Sequence, residues 1–208
     1  EIAWILAQLR ARHPGPVIAA GVSLGGNALL RWAAEAGSDA SSHVKAVAAI
    51  CSPLDLAAGG HAIGRGFNRQ IYARMFLRTM VPKALRKWEQ HPGLFDRDAL
   101  LAARDLYAFD NVFTAPLHGF RNTEDYWHRA SSKPLLSHIR VPALVVNALN
   151  DPFVPASSLP RAGEVGPCVT LWQPRHGGHV GFAQGPWPGH VRAMPDAVSA
   201  WLTAQLPG

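Results

Sequence analysis

One serine set between glycines constrains this chain more than any other feature in it. In Gly21-Val22-Ser23-Leu24-Gly25-Gly26, a Gly-x-Ser-x-Gly pattern follows the uncharged run Val17-Ile18-Ala19-Ala20. Pro16 and Gly21 bound that run, which reads as a short strand buried on both faces. From Gly25 to Ala36 the residues Ala28, Leu29, Trp32 and Ala33 recur at helical spacing. Strand, tight turn and helix in this order make a nucleophile elbow: the turn lifts a serine hydroxyl above the sheet, and the flanking glycines leave room for crowded backbone. The backbone N–H of Leu24 and the positive end of the helix would then stand beside an oxyanion forming at a carbonyl attacked by Ser23.

The rest of the chain continues the strand and helix rhythm, with one interruption. Glu1 to His13 has helical spacing through Ile2, Ile5, Leu6 and Leu9, and Pro14-Gly15-Pro16 ends it. Val44 to Ile50 is a second strand, closed by Ser52-Pro53. From Asp55 to about Lys133 the pattern turns to irregular helical pieces rich in Arg, aromatics and Gly, which we read as an insertion. Val141 to Ala148 forms a third strand, Ala156 to Gly163 a helix, Cys168 to Trp172 a fourth strand, and Met194 to Gln205 a closing amphipathic helix. Alternating elements with short connections predict an α/β fold: a mostly parallel sheet with helices on both faces and its ligand site at the carboxyl ends of the strands. A chain of 208 residues fits one such domain, with a core of 1–54 and 134–208 and a helical cap of about 55–133.

Composition removes several classes of function. The chain is 48% hydrophobic and 16% charged, too apolar for disorder. The net charge of +6 has one dense source, Arg65, Arg69, Arg74, Arg78, Lys83, Arg86 and Lys87, interleaved with Ile71, Tyr72, Met75, Phe76 and Met80. That pattern reads as a solvated helical face over an apolar one, with weak peripheral contact to an anionic lipid surface as the second reading and no nucleic acid expected. The two cysteines, Cys51 and Cys168, are too sparse for a disulfide scaffold or a zinc site and read as small buried hydrophobes. No run of about 18 apolar residues is present, and the residues from Glu1 onward do not read as the basic-then-apolar pattern of a signal peptide.

A serine hydroxyl attacks an ester only when a histidine takes its proton and a carboxylate holds that histidine's tautomer. In strand-elbow-helix sheets these partners follow in the order serine, acid, histidine. Asp151 follows the third strand in Leu149-Asn150-Asp151-Pro152-Phe153-Val154-Pro155, and His179 follows the fourth in His176-Gly177-Gly178-His179. Asp55 also follows a strand, but Asp151 sits tighter against its own, and the prolines around Phe153 stiffen the loop that aims it. His176 is the other nearby base; Gly177-Gly178 lets the backbone bring the later imidazole inward, which favours His179. His118, His128, His138 and His190 read as polar loop or capping histidines. A metal set of His176, His179 and Asp151 lacks any helical ligand spacing and leaves Ser23 without a role, so no metal is expected.

Six segments together resemble the YheT-like branch of the α/β-hydrolases, a bacterial branch related to ABHD-type lipases and fatty-acid ethyl ester synthases. They are Gly21 to Asn27, Ala115-Pro116-Leu117-His118-Gly119-Phe120, Tyr126-Trp127, Ser131-Ser132, Asn150-Asp151-Pro152-Phe153, and His176 to Phe182. The resemblance covers nearly the whole chain. It implies a serine esterase acting on a small-molecule ester or lipid of short- to medium-chain acyl length, with Ser23 as nucleophile, His179 as base and acid, Asp151 as orienter, and no cofactor. It also implies that the cap's apolar side chains line an acyl pocket. Acyl transfer to an alcohol would use the same triad, and a catalytically impaired fragment is the reading from another class. The family places several strands before the elbow, one carrying a second oxyanion N–H. The expectation is therefore an amino-terminally truncated domain of cytoplasmic location, with Leu24 as one oxyanion donor of two, an exposed edge at Val17 to Ala20, and poor solubility.

Overall fold

A computed structural model describes residues 1–206 and resolves into two compact units, Glu1–Leu54 with the chain from Ser131 onward, and Asp55–Ala130. In the first unit, helix α1 (Ile2–Arg12) leads to strand β1 (Ile18–Val22), helix α2 (Leu24–Ala36) and strand β2 (Ala46–Ile50). Strands β3 (Ala143–Val146) and β4 (Val169–Trp172) and helix α3 (Ala193–Thr203) follow the return of the chain. The four strands are parallel and lie in the order β1-β2-β3-β4.

Strand alternation divides the core between two faces. Val47, Ala49, Ala143 and Val145 pack with Leu6 of α1, Leu29, Leu30 and Ala33 of α2, and Leu136 and Ile139. On the other face Ala46, Ala48, Ile50, Leu144 and Val146 pack with Met194, Val198 and Leu202 of α3. Each fully buried Leu or Val stabilises by about 1.5–3 kcal/mol relative to exposure. The helices bury only part of the stripes that their spacing predicts: α1 buries Leu6 but leaves Ile5 and Leu9 exposed, and α2 buries Leu29 and Ala33, with Gly26, Leu30 and Ala34 beside them, while Ala28 is exposed.

Two expectations need correction. β2 and β3 are buried along their whole length, whereas β1 is only partly covered, with Val22 52% exposed. An uncharged sequence thus did not guarantee burial on both faces; among the described residues β1 pairs on one side only, with β2, which agrees with the exposed edge expected from the resemblance. The expected helix from Ala156 to Gly163 is instead two single 3₁₀ turns, Ala156–Ser158 and Ala162–Glu164. Pro160 has no N–H to extend a helix and holds Leu159 extended (φ −68°, ψ 148°).

The second unit is helical and has its own core. Its main helices are Leu56–Ile63, Arg74–Gln90, Arg97–Ala102 and Thr123–Ala130. Ala84, Phe95, Leu100, Ala103 and Phe109 form its centre. Asp55 caps the first helix by accepting the Ala58 N–H (3.0 Å), and Asp96 and Asp105 cap later helices in the same way. Trp127 is buried, and its indole N–H donates to Asp110 Oδ2 at 2.9 Å. Gly60 lies under the same indole, where a Cβ would come within 2.5 Å of Cζ2.

Candidate active site

Sheet register carries the candidate residues to one edge. Val22, Ile50, Val146 and Trp172 are aligned across the four strands, so the loops after β1, β2, β3 and β4 all leave from the same carboxyl end. Ser23 follows Val22 directly, Cys51 follows Ile50, and the loops bearing Asp151 and His179 follow the other two strands.

Ser23 occupies the turn between β1 and α2 with φ 52° and ψ −126°. A non-glycine residue held there costs on the order of 1–3 kcal/mol, which the surroundings must offset. Its N–H donates to Ile50 O (2.8 Å) and its carbonyl accepts from Gly26 N–H (3.0 Å). The crowding is borne by Gly21 and Gly26: a Cβ on Gly21 would lie 2.5 Å from Gly25 O, and one on Gly26 would lie 2.7 Å from Gly21 O and overlap the Ser52 hydroxyl. Gly25, the second glycine of the pattern, has nothing within 4 Å of a Cβ, which corrects the expectation that both pattern glycines relieve crowding. Leu24 begins α2, where the first amides of a helix have no intrahelical acceptor and the macrodipole is positive.

The structure brings Asp151 and His179 to this serine. His179 Nε2 is 3.2 Å from Ser23 Oγ, and His179 Nδ1 is 2.8 Å from Asp151 Oδ2. The Asp151 side chain is fully buried, and its other oxygen accepts the Phe153 N–H at 2.8 Å. A carboxylate can only accept, so the shared hydrogen sits on Nδ1 and Nε2 is left to accept from the serine hydroxyl. The Phe153 ring lies against the imidazole, with centroids 4.6 Å apart. His176 is exposed on the same loop, and the Asp55 carboxylate is the helix cap described above. His190 takes a local role, its Nδ1 accepting the Arg192 N–H at 3.3 Å just before α3.

Two residues of this edge were missed as functional by sequence reasoning. Asn150 Oδ1 accepts both the Gly177 and Gly178 N–H groups at 2.9 Å, bridging the acid loop to the histidine loop. Its place next to Asp151, in the segment Asn150-Asp151-Pro152-Phe153 quoted for the resemblance, is the sequence signal that could have found it. Cys51, read as a core residue, adopts φ 50°, accepts the Val180 N–H on Sγ (3.3 Å) and directs its thiol toward Gly178 O (3.9 Å). It thereby touches the loop on both sides of His179, and no local pattern announces this. Cys51 Sγ, Asp151 and His179 offer ligand atoms within 4.8 Å of one another, in place of the His176 set considered from sequence. Burial pushes the Cys51 thiol up to about 11, and the other two groups are engaged with each other, so this trio is a poor match to a metal's need for deprotonated, free donors.

Four parallel strands, helices on both faces and a serine elbow at the carboxyl edge define an α/β-hydrolase. Residues 1–186 match the family model described as the alpha/beta hydrolase fold, and the chain belongs to that family. Within it the chain is similar to YheT, a candidate esterase of Escherichia coli (strain K12), with 32% identity over 209 residues covering 99% of this chain and 61% of YheT. It is 30% identical over 212 residues to phospholipase ABHD3 of Mus musculus, covering 99% of this chain and 50% of that protein. The chain thus spans half to about three-fifths of the length of these relatives. Among solved structures, a monoacylglycerol lipase of Paleococcus ferrophilus shares the fold with a TM-score of 0.54 at 17% identity, covering 98% of this chain and 73% of that one. Among the described residues no helix is long and apolar enough to cross a membrane.

Proposed function

We propose that the protein is a serine hydrolase that cleaves carboxylic esters of short- to medium-chain acyl groups through an acyl-enzyme on Ser23. The observation that carries this reading is the continuous hydrogen-bonded line from Ser23 Oγ to His179 Nε2 (3.2 Å) and from His179 Nδ1 to Asp151 Oδ2 (2.8 Å). In it, His179 Nε2 takes the hydroxyl proton as Ser23 Oγ bonds to the ester carbonyl carbon. The resulting oxyanion faces the Leu24 N–H at the start of α2, and one such donor contributes about 3–4 kcal/mol to the transition state. His179 returns its proton to the departing alkoxide as the C–O bond breaks, which releases the alcohol and leaves the acyl group on Ser23. A water, deprotonated by the same imidazole, then frees the carboxylic acid and restores Ser23. Asp151 holds the tautomer and stabilises the imidazolium. The names of the relatives, an esterase candidate and a phospholipase, support the ester class.

An alkyl fluorophosphonate should label Ser23, and Ser23→Ala should abolish labelling. Labelling that persists in the variant would remove Ser23 from the mechanism. A series of p-nitrophenyl esters of rising acyl length reads out the acyl preference, and activity confined to long chains would overturn that part of the reading.

A further inference from the structure

The second unit contains a basic cavity for which the esterase mechanism has no use. The helix Arg74–Gln90 is preceded without a break by a π-helical turn, Arg69–Ala73. A π turn adds a residue to the helical repeat, so residues five apart, such as Arg69 and Arg74, come round to the same side. Arg78 lies a further α-helical turn along. All three, with Gln70 and with Arg104 two residues beyond the helix Arg97–Ala102, line one cavity of about 550 Å³. Its apolar residues are Leu77, Val81, Leu101 and Ala103.

The charges of this cavity are poorly compensated. Asp105 reaches Arg69 at 3.9 Å, but its other oxygen is committed to the Ala108 N–H. Among the described residues Arg74 and Arg78 have no carboxylate partner. Arg104 is pinned through Nη1 to the carbonyls of Leu101 and Ala103. Four guanidinium groups around one concavity repel one another, and an anion that accepts from several of them relieves that repulsion. Guanidinium forks match the oxygens of a phosphate in pairs, and the cavity falls within the roughly 300–1000 Å³ of small-ligand sites. The apolar residues leave room for the carbon skeleton of an ester.

We propose that Arg69, Arg74, Arg78 and Arg104 form a binding site for a phosphate ester, with the phosphate on the guanidinium groups and its organic part on Leu77, Val81 and Leu101. The site stands apart from the ester-cleaving assignment and does not depend on Ser23. A soluble phosphate ester and a phospholipid headgroup present the same chemistry to it.

The test titrates glycerol 3-phosphate into the protein by calorimetry at fixed ionic strength, with the Ser23→Ala protein in parallel to keep any hydrolysis out of the measurement. Saturable binding is expected. The Arg74→Gln/Arg78→Gln variant should bind at least about tenfold more weakly for each guanidinium lost, since a charged hydrogen bond is worth about that factor. Arg78→Lys should recover only part of the loss, because it restores charge without the fork. Both arginines are exposed, so an unchanged melting temperature shows that the variant still folds. Co-sedimentation with phosphatidylcholine vesicles, with and without phosphatidic acid, separates the sources: capture only by the phosphatidic acid vesicles, lost in the double variant, assigns the site to a lipid headgroup. Binding of glycerol 3-phosphate without vesicle capture assigns it to a soluble ester. Absence of glycerol 3-phosphate binding, or equal affinity in the double variant, overturns the proposal.

Discussion

Replacing Gly26 and Gly25 separately by alanine tests how the serine turn is held. A methyl group on Gly26 would lie 2.7 Å from Gly21 O and 3.1 Å from Ala49 Cα, and would overlap the Ser52 hydroxyl. Two of these neighbours are backbone atoms of β1 and β2, which cannot swing aside, so α2 must move off the sheet. Overpacking of this kind costs about 1–3 kcal/mol, against about 0.5–1 kcal/mol gained because alanine is the better helix former. At the middle of these ranges the net loss expected for Gly26→Ala is about 1.25 kcal/mol, or a melting point lower by roughly 2.5–5 °C for a chain of this size. Gly25→Ala meets nothing within 4 Å and should keep or slightly raise the melting point. Circular dichroism melts of the two variants beside the wild type, with fluorophosphonate labelling of Ser23 as a second readout, give the comparison. Displacement of α2 should slow labelling in Gly26→Ala. Equal melting points, or a Gly25→Ala variant that is the less stable of the two, would refute the steric reading of the turn.

Two further outcomes follow from other parts of the chain. Burial pushes the Asp110 carboxyl above its ordinary range, with the Trp127 and Thr114 hydrogen bonds opposing it. A raised value means that its stabilising contribution is present at low pH and is lost as pH climbs through the folded-state value; Asp110→Asn should therefore gain stability relative to wild type between about pH 4 and pH 7 in urea melts, and a gap that does not widen would contradict this. Asn150→Ala removes the acceptor for the Gly177 and Gly178 amides and should slow Ser23 labelling by about 10- to 100-fold through misplacement of His179, with little change in melting point. Unchanged labelling would show that the histidine loop holds itself.

How much was legible in advance depended on whether the controlling forces were local. Short, mostly apolar runs marked all four strands, and helical spacing marked α1, α2 and α3, because packing of one face leaves its period in the sequence. Pro160 was equally visible, and the helix expected across it shows apolar content outweighing a local break. Exposure of β1 could not be read from its residues, since it depends on which strands pair beside it.

The candidate site divides along the same line. Ser23, Asp151 and His179 could be singled out because strand-end positions in a parallel sheet converge at one edge, a property of topology that the strand order already implies. Which of two histidines on one loop lies 3.2 Å from Ser23 was decided only when the loop closed on Asn150 and Cys51, residues from two other strand ends. The sequence by itself determined the elements, their order and the side chains available to the edge, all consequences of local pattern. Tertiary structure alone decided that Gly26, not Gly25, bears the crowding at the turn, and that a cysteine read as core grips the histidine loop, because both follow from atoms distant along the chain that packing brings within a few ångströms.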